Sequence, residues 1–326
     1  MFINLSVLKI NCKCFLRIDA GLKQLKTILS LARLHFLIPG FMLFLLGYLL
    51  AILGGIEYDL IKFVFGYLVF GSAHLSVSFS NDYFDRHSDR NSVKTAFSGG
   101  SKVLIKNPEL ESFALRFAIF LLCFSAIINI FITFVYGYSF WFFVFGILGG
   151  LLGFFYTAPP LKLAYRGLGE LSTMLAVGIF MPGMGYFVAS GTLDSIFSLL
   201  ILPLSCYGLF FILTVHLPDV ESDTLAQKKN ILVKLGTNSG KLVTVVATIS
   251  GTFSLMMLLF FNISDGIIDW SPFVAFSILP LLASISSYLW RTMNRKYLVR
   301  QVMINMASMI LFLLLMDMSL LFQNIW

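Results

Sequence analysis

The segment Ser80-Asn81-Asp82-Tyr83-Phe84-Asp85-Arg86-His87-Ser88-Asp89-Arg90 sets three carboxylates where an apolar run ends. Asp82, Asp85 and Asp89 stand at i, i+3 and i+7, so a helix continuing through them projects all three from one face within two turns. Like charges that close repel one another unless a cation sits among them. Hard oxygen ligands on a short, water-accessible segment suit Mg²⁺, which keeps several waters and takes one or two carboxylates plus substrate phosphates. Read alone, the run is equally a solvated acidic helix end with Arg86 and Arg90 as local partners. A second stretch, Leu217-Pro218-Asp219-Val220-Glu221-Ser222-Asp223, again places carboxylates at i and i+4 where a long apolar run stops. Two acidic clusters at two helix ends on one membrane face make a shared cation site. Glu221, about 200° around the helix from Asp219, is expected to face solvent.

Other stretches bear on the same chemistry. In Tyr156-Thr157-Ala158-Pro159-Pro160-Leu161-Lys162-Leu163-Ala164-Tyr165-Arg166-Gly167-Leu168-Gly169-Glu170 the Pro pair ends a helix. Lys162 and Arg166 carry the charge to neutralise a diphosphate, although basic residues at a cytoplasmic membrane edge need no such role. In Thr95-Ala96-Phe97-Ser98-Gly99-Gly100-Ser101 the glycines permit a turn whose amides face an anion, or a turn and nothing more. His74 and Asp317 are ionisable residues inside apolar runs, where such groups are costly and often functional. His74 lies close below the first motif, and Asp317 has no partner recognisable from sequence. Cys12, Cys14, Cys123 and Cys206 follow no metal-ligand spacing beyond a lone C-x-C and read as free thiols.

What must position these residues is a membrane bundle. The 326 residues are 58% hydrophobic, 16% aromatic and only 12% charged, too apolar for a soluble domain. Nine apolar stretches are each near the roughly 20 residues a helix needs to cross about 30 Å of hydrocarbon. They run Phe36 to Ile56, Ile61 to Ser80, Phe113 to Val135, Phe140 to Thr157, Leu171 to Ser190, Ile196 to His216, Leu242 to Ile263, Pro272 to Trp290 and Val302 to Phe322. Gly149-Gly150 and Pro182-Gly183 are sites where the fourth and fifth can kink. With the amino terminus and every even-to-odd loop in the cytoplasm, 22 of the 23 Lys and Arg fall on that side and Lys62 alone falls outside. That topology, rather than nucleic-acid binding, accounts for the net charge of +7, since no groove-reading element accompanies it. The expectation is an all-α chain, a nine-helix transmembrane bundle of residues 36–326 around a central cavity open to the cytoplasm. A basic cytoplasmic segment, residues 1–35, precedes it. There Leu22, Leu25, Ile28, Leu29 and Ala32 form an apolar stripe opposite Lys23, Lys26 and Arg33, as in a helix lying at the membrane surface. The amino terminus and the acidic site are then cytoplasmic and the carboxy terminus lies outside a multi-pass cell membrane.

Asn81-Asp82-x-x-Asp85-x-x-x-Asp89 after a second span, Asp219-x-x-x-Asp223 after a sixth, and the Tyr156 to Glu170 loop together resemble the UbiA superfamily of intramembrane prenyltransferases. The resemblance covers the chain from Arg33 onward. Asp223 to Gly236 looks like the family's G-K-x-T-L-x-V-x-L-G tail, with Gln227 and Asn230 in place of the usual Gly and Thr. The resemblance implies a cavity open to lipid as well, in which Asn81, Asp82, Asp85, Asp89, Asp219 and Asp223 hold Mg²⁺. Asp82, Asp85, Asp219 and Asp223 become the catalytic set, and Asn81, Lys162, Arg166 and Lys228 bind the diphosphate of a polyprenyl donor. Tyr165 to Glu170 is similar to the naphthoate-prenylating, menaquinone branch, which implies a lipophilic aromatic acceptor. A glycerol-lipid or carotenoid acceptor shares the same cradle. A transporter is the competing class, but it would place its binding groups near the bilayer midplane, and these clusters lie at helix ends.

Overall fold

The computed structural model of the chain describes residues 25–92, 94–264, 266–290 and 294–325. Cys12, Cys14, Leu22 and Lys23, named above for thiols or amphipathic pattern, lie outside the described residues.

Runs of Leu, Ile and Phe this long have no water to satisfy their peptide groups in a bilayer, so each closes its hydrogen bonds internally as a helix. Besides a single turn at Val103–Lys106, the α-helices are α1 (residues 25–32), α2 (Leu37–Leu53), α3 (Leu60–Phe84), α4 (Glu111–Val135), α5 (Phe140–Phe154), α6 (Gly169–Ser190), α7 (Ser195–His216), α8 (Val220–Leu225), α9 (Ile231–Leu235), α10 (Thr237–Phe260), α11 (Ser271–Leu289) and α12 (Arg295–Ile325). Among the described residues eight helical stretches are long and apolar enough to cross a membrane. The remaining expected crossing is α5, whose 15 residues span about 22 Å, short of the hydrocarbon thickness. Among the described residues the nine expected crossings are thus eight full-length stretches and one shorter apolar helix. On α4, Phe120, Ile127 and Phe134 lie exposed along the outside, as lipid-facing side chains do.

Six of the long helices, α2, α6, α7, α10, α11 and α12, close into a ring, with α3 and α4 packed as a pair beside it. α3 lies on α4, α6 on α7, α7 on α10, α10 on α11, α11 on α12, and α12 returns to α2, which also runs along α6. Glycine sets the last contact. A Cβ on Gly47 would overlap the backbone of Pro182, and one on Gly185 the backbone of Phe44, so α2 and α6 meet backbone to backbone. α6 carries a π-turn at Ala176–Phe180 just ahead of Pro182. The prolyl ring crowds the carbonyl four residues back and offers no N–H, and the widened turn relieves both. α5 runs unbroken through Gly149-Gly150, because glycine removes no hydrogen bond.

The amino-terminal helix departs from its expected face. Arg33 takes a left-handed conformation, φ 47°, and separates α1 from the turn leading into α2. Leu31 and Ala32 are buried against Phe79 of α3 and Ala114 and Ala118 of α4, with Ile28 beside them. Leu25 and Leu29, counted in the apolar stripe, are exposed.

Candidate active site

The first motif straddles the end of α3. Asn81 and Asp82 lie on its last turn, and Asp85 is the C-cap residue. The helix stops there because side chains take over its carbonyls. Arg86 Nη1 donates to the Tyr83 carbonyl at 2.6 Å with its guanidinium over the Tyr83 ring, and Ser88 Oγ donates to the Asp85 carbonyl at 2.9 Å. The three carboxylates thus do not share one continuous helix, as their spacing predicts. Asp89 sits in a separate 3₁₀ turn, Ser88–Asn91, whose Asp89 amide still donates to the Asp85 carbonyl at 2.8 Å. The second motif follows α7: Asp219 ends a 3₁₀ turn, Leu217–Asp219, and Asp223 lies in α8.

The glycine turn joins the two motifs. Gly99 and Gly100 both have positive φ, 78° and 66°. The Gly99 amide donates to Asp219 Oδ2 at 3.1 Å and the Ser101 amide to Asp82 Oδ1 at 3.2 Å. A Cβ on Gly100 would fall on the Asp89 carboxylate, so this position requires glycine twice over. Lys102, itself left-handed, donates from Nζ to the carbonyls of Asp89 and Ser92 and ties the loop down.

Lys228 completes the bridge. Its Nζ lies 3.3 Å from both Asp85 Oδ2 and Asp223 Oδ1. Tyr165 donates to the other Asp85 oxygen at 2.7 Å, and Asn230 donates to the other Asp223 oxygen at 2.7 Å. Asn230 also caps α9 by accepting from the Val233 amide, and Glu170 fixes the same helix start by accepting from the Ile231 amide. Thr157 donates to Asn81 Oδ1 at 2.8 Å. Asp85 and Asp223 are thus wholly engaged by protein groups. Asp82 Oδ2 and Asp219 Oδ1 are buried with no partner.

Both motifs open on one cavity of about 320 Å³. Asn81, all five aspartates and Lys228 line it, together with Gly99 and Gly100. Deeper, Phe70, Phe145, Phe180, Met181 and Met184 make an apolar, aromatic wall. Lys162 and Arg166 are not among its lining residues. Both are exposed; Lys162 Nζ lies over the Tyr165 ring, and Arg166 Nη2 donates to the Pro160 carbonyl at 2.8 Å. Arg33 takes a cavity position instead, with Nη1 4.0 Å from Asp82 Oδ1. Glu221 is exposed, as its angle on the helix predicts. Arg33, Thr157, Tyr165, Asn230 and the pocket aromatics are not visible as site residues in the sequence. The one signal that could have marked them is the clustering of polar residues in the loops beside each acidic motif.

Electrostatics follow the same split. Burial, then the neighbouring Asp85 charge, raises the Asp89 carboxyl to about 7. Burial alone would lower Lys228, but Asp85 and Asp223 hold its ammonium well above the ordinary lysine value. Burial and then Asp85 push the Tyr165 hydroxyl up. Among the described residues no three His, Cys, Asp or Glu side chains converge as a ready-made metal cage. Two buried carboxylate oxygens without partners, one from each motif, are costly as they stand, and a hard cation that also accepts phosphate oxygens and water fits them.

Comparison with known proteins gives the family of the chain. Residues 40–309 match the UbiA prenyltransferase family. The chain is 22% identical over 207 residues to 1,4-dihydroxy-2-naphthoate octaprenyltransferase of Bacillus subtilis, covering 64% of this chain and 65% of that protein. It is 32% identical over 102 residues to 2-carboxy-1,4-naphthoquinone phytyltransferase of Synechocystis, 30% of this chain and 32% of that one. The matches thus span less than two thirds of the length of these curated relatives. In fold it is similar to a UbiA homologue from Archaeoglobus fulgidus solved with GPP and Mg²⁺, with a TM-score of 0.59 at 17% identity, over 88% of this chain and 99% of that one. With the family match running from α2 into α12 through both acidic motifs, the chain belongs to the UbiA prenyltransferase family.

Proposed function

We propose that this chain transfers a polyprenyl group from a polyprenyl diphosphate to a naphthoate-like aromatic acceptor inside the membrane, in a Mg²⁺-dependent reaction. The observation that carries the reading is a single cavity with acidic residues of both motifs and Lys228 at one end and aromatic, apolar walls at the other. The family supports prenyl transfer, and the naphthoate-directed relatives support the aromatic acceptor. The separation of basic residues by loop supports a cytoplasmic mouth.

Asp82 and Asp219, with Asp89 beside them, are the residues to hold Mg²⁺, which when bound supplies positive charge for the diphosphate leaving group. Lys228, kept charged between Asp85 and Asp223, presents a second cation to the same group and needs no proton transfer to act. Asn81, oriented by Thr157, offers its amide to a phosphate oxygen. The allylic C–O bond breaks with its electron pair passing to the diphosphate. A ring carbon of the acceptor then bonds to the allylic carbon and loses its proton to the released diphosphate. Phe70, Phe145 and Phe180 keep water from the allylic cation and offer ring faces to it.

The test is the full chain in detergent or vesicles with Mg²⁺, octaprenyl or geranyl diphosphate, and separate hydroxynaphthoate, hydroxybenzoate and glyceryl phosphate acceptors. Prenylated naphthoate with matching pyrophosphate release is expected. Prenylated glyceryl phosphate with no aryl product would overturn the acceptor, and solute movement across vesicles with no prenyl product would overturn the reaction.

A further inference from the structure

His74 lies eight residues before Asp82 on α3, about 12 Å deeper along the helix axis. It lines the cavity between Phe70 and Ser78, and Ser78 stands one turn above it toward the acidic mouth. Its Nδ1 is buried without a hydrogen-bond partner, and the residue as a whole is only partly covered and lines the cavity. The Phe70 ring, 5.4 Å away, fixes one side of the imidazole. On the other side α2 presents Gly40, where a Cβ would overlap the imidazole. The bundle therefore leaves out a side chain at Gly40 to house a polar ring, in a cavity whose deeper lining is largely apolar. A polar group placed in such a wall without partners costs free energy that an apolar residue of the same size would avoid.

We propose that His74 forms a hydrogen bond with a ring oxygen of the acceptor, a hydroxyl or carboxyl, and so selects oxygen-bearing aromatic acceptors. This inference rests on the prenyl-transfer reading. Below its diphosphate a polyprenyl donor is hydrocarbon and offers His74 nothing to bond. An aromatic acceptor stacked beside the first isoprene unit carries oxygens on its ring edge, and a ring and its substituents bridge the distance from the cradle to this depth. Ser78 adds a hydroxyl on the same helix, so the acceptor meets a polar ladder of Asn81, Ser78 and His74 down one wall. His74 acts on binding and orientation; the bonds made and broken remain at the mouth of the cavity.

The experiment compares wild type, His74→Phe and His74→Gln as full-length protein with Mg²⁺ and prenyl diphosphate. His74→Phe keeps the volume and removes the hydrogen bond, and should raise the KM for 1-hydroxy-2-naphthoate about tenfold. The donor KM and the pyrophosphate released without acceptor should stay within about twofold of wild type. His74→Gln, which restores a polar end, should recover most of the loss. An unchanged acceptor KM in His74→Phe, or equal losses toward both substrates that Gln does not rescue, would overturn the proposal and leave His74 as packing for α2 on α3. Binding of 1-hydroxy-2-naphthoate without donor reads the same residue independently of turnover. About tenfold weaker binding to His74→Phe supports the role even where wild type forms no prenyl product, and equal binding refutes it.

Discussion

The two acidic motifs look alike in sequence and are held in opposite ways. In the first, support comes from far along the chain: Arg33 beside Asp82, Thr157 on Asn81, Tyr165 on Asp85 and the Ser101 amide on Asp82. In the second, Asn230 holds Asp223 from seven residues away, and the Gly99 amide and the Asp85 side of Lys228 reach across. Each motif nevertheless contributes one carboxylate that is fully occupied, Asp85 or Asp223, and one that keeps a buried free oxygen, Asp82 or Asp219. Spacing identifies carboxylates. Only their partners separate those available to a ligand from those that hold Lys228 in place.

The largest effect should come from breaking the free pair. Asp82→Ala or Asp219→Ala should lower kcat/KM by about 10³-fold or more, and excess Mg²⁺ should not restore it. Asp85→Asn and Asp223→Asn keep a hydrogen-bonding end while releasing Lys228, and should retain a measurable Mg²⁺ response. Steady-state assays across a Mg²⁺ titration, with chromatography to confirm folded protein, make the comparison. Equal Mg²⁺ half-saturation in all four variants would erase the distinction between free and engaged carboxylates.

A second contrast concerns lysines. Lys228 lines the cavity between two carboxylates, whereas Lys162 is exposed and lies over the Tyr165 ring. Lys228→Ala should cost about 10²-fold in kcat/KM, because a transition-state charge partner is lost and two buried carboxylates are left uncompensated. Lys162→Ala should change it less than about threefold. The reverse order, measured in one assay with saturating Mg²⁺, would move the diphosphate site toward the Pro159-Pro160 loop.

The legibility of the chain follows from these contacts. Apolar runs of span length announce the helices, because only helices satisfy the backbone in a bilayer. The π-turn before Pro182 follows from proline at a marked place. The shortness of α5 does not, since its apolar run continues past Phe154 into a loop that turns back at Pro159-Pro160. Gln227 illustrates a half-legible feature. It stands where the family usually has Gly, and it adopts φ 57°, the conformation for which Gly is favoured. Asn230, in the usual place of Thr, makes the same kind of helix cap. The glycine turn at Gly99-Gly100 reads from sequence as amides facing an anion or as a plain turn, and in the structure the Gly99 and Ser101 amides meet the motifs' own carboxylates. Arg33 and Tyr165 stayed hidden because their roles depend on tertiary approach across the bundle, which no local pattern records.

The smallest expected effect sharpens the comparison within the first motif. Burial and the Asp85 charge raise the Asp89 carboxyl to about 7, so near neutrality it exists partly as the neutral acid. A cation held beside it favours the carboxylate, and binding must then release a proton wherever the free site is protonated. The sign follows: Mg²⁺ affinity is full well above pH 7 and weakens as pH falls through that value. Between pH 7.5 and 6.5 the ionised fraction of a group titrating near 7 falls about threefold, and the Mg²⁺ half-saturation should rise by the same factor. Asp89→Asn should flatten this dependence while binding Mg²⁺ more weakly at every pH. Mg²⁺ titrations at three pH values on both proteins measure it. A slope that survives in Asp89→Asn would assign the proton to another group, and the turn holding Asp89 against Gly100 would then serve to shape the loop rather than to meet the cation.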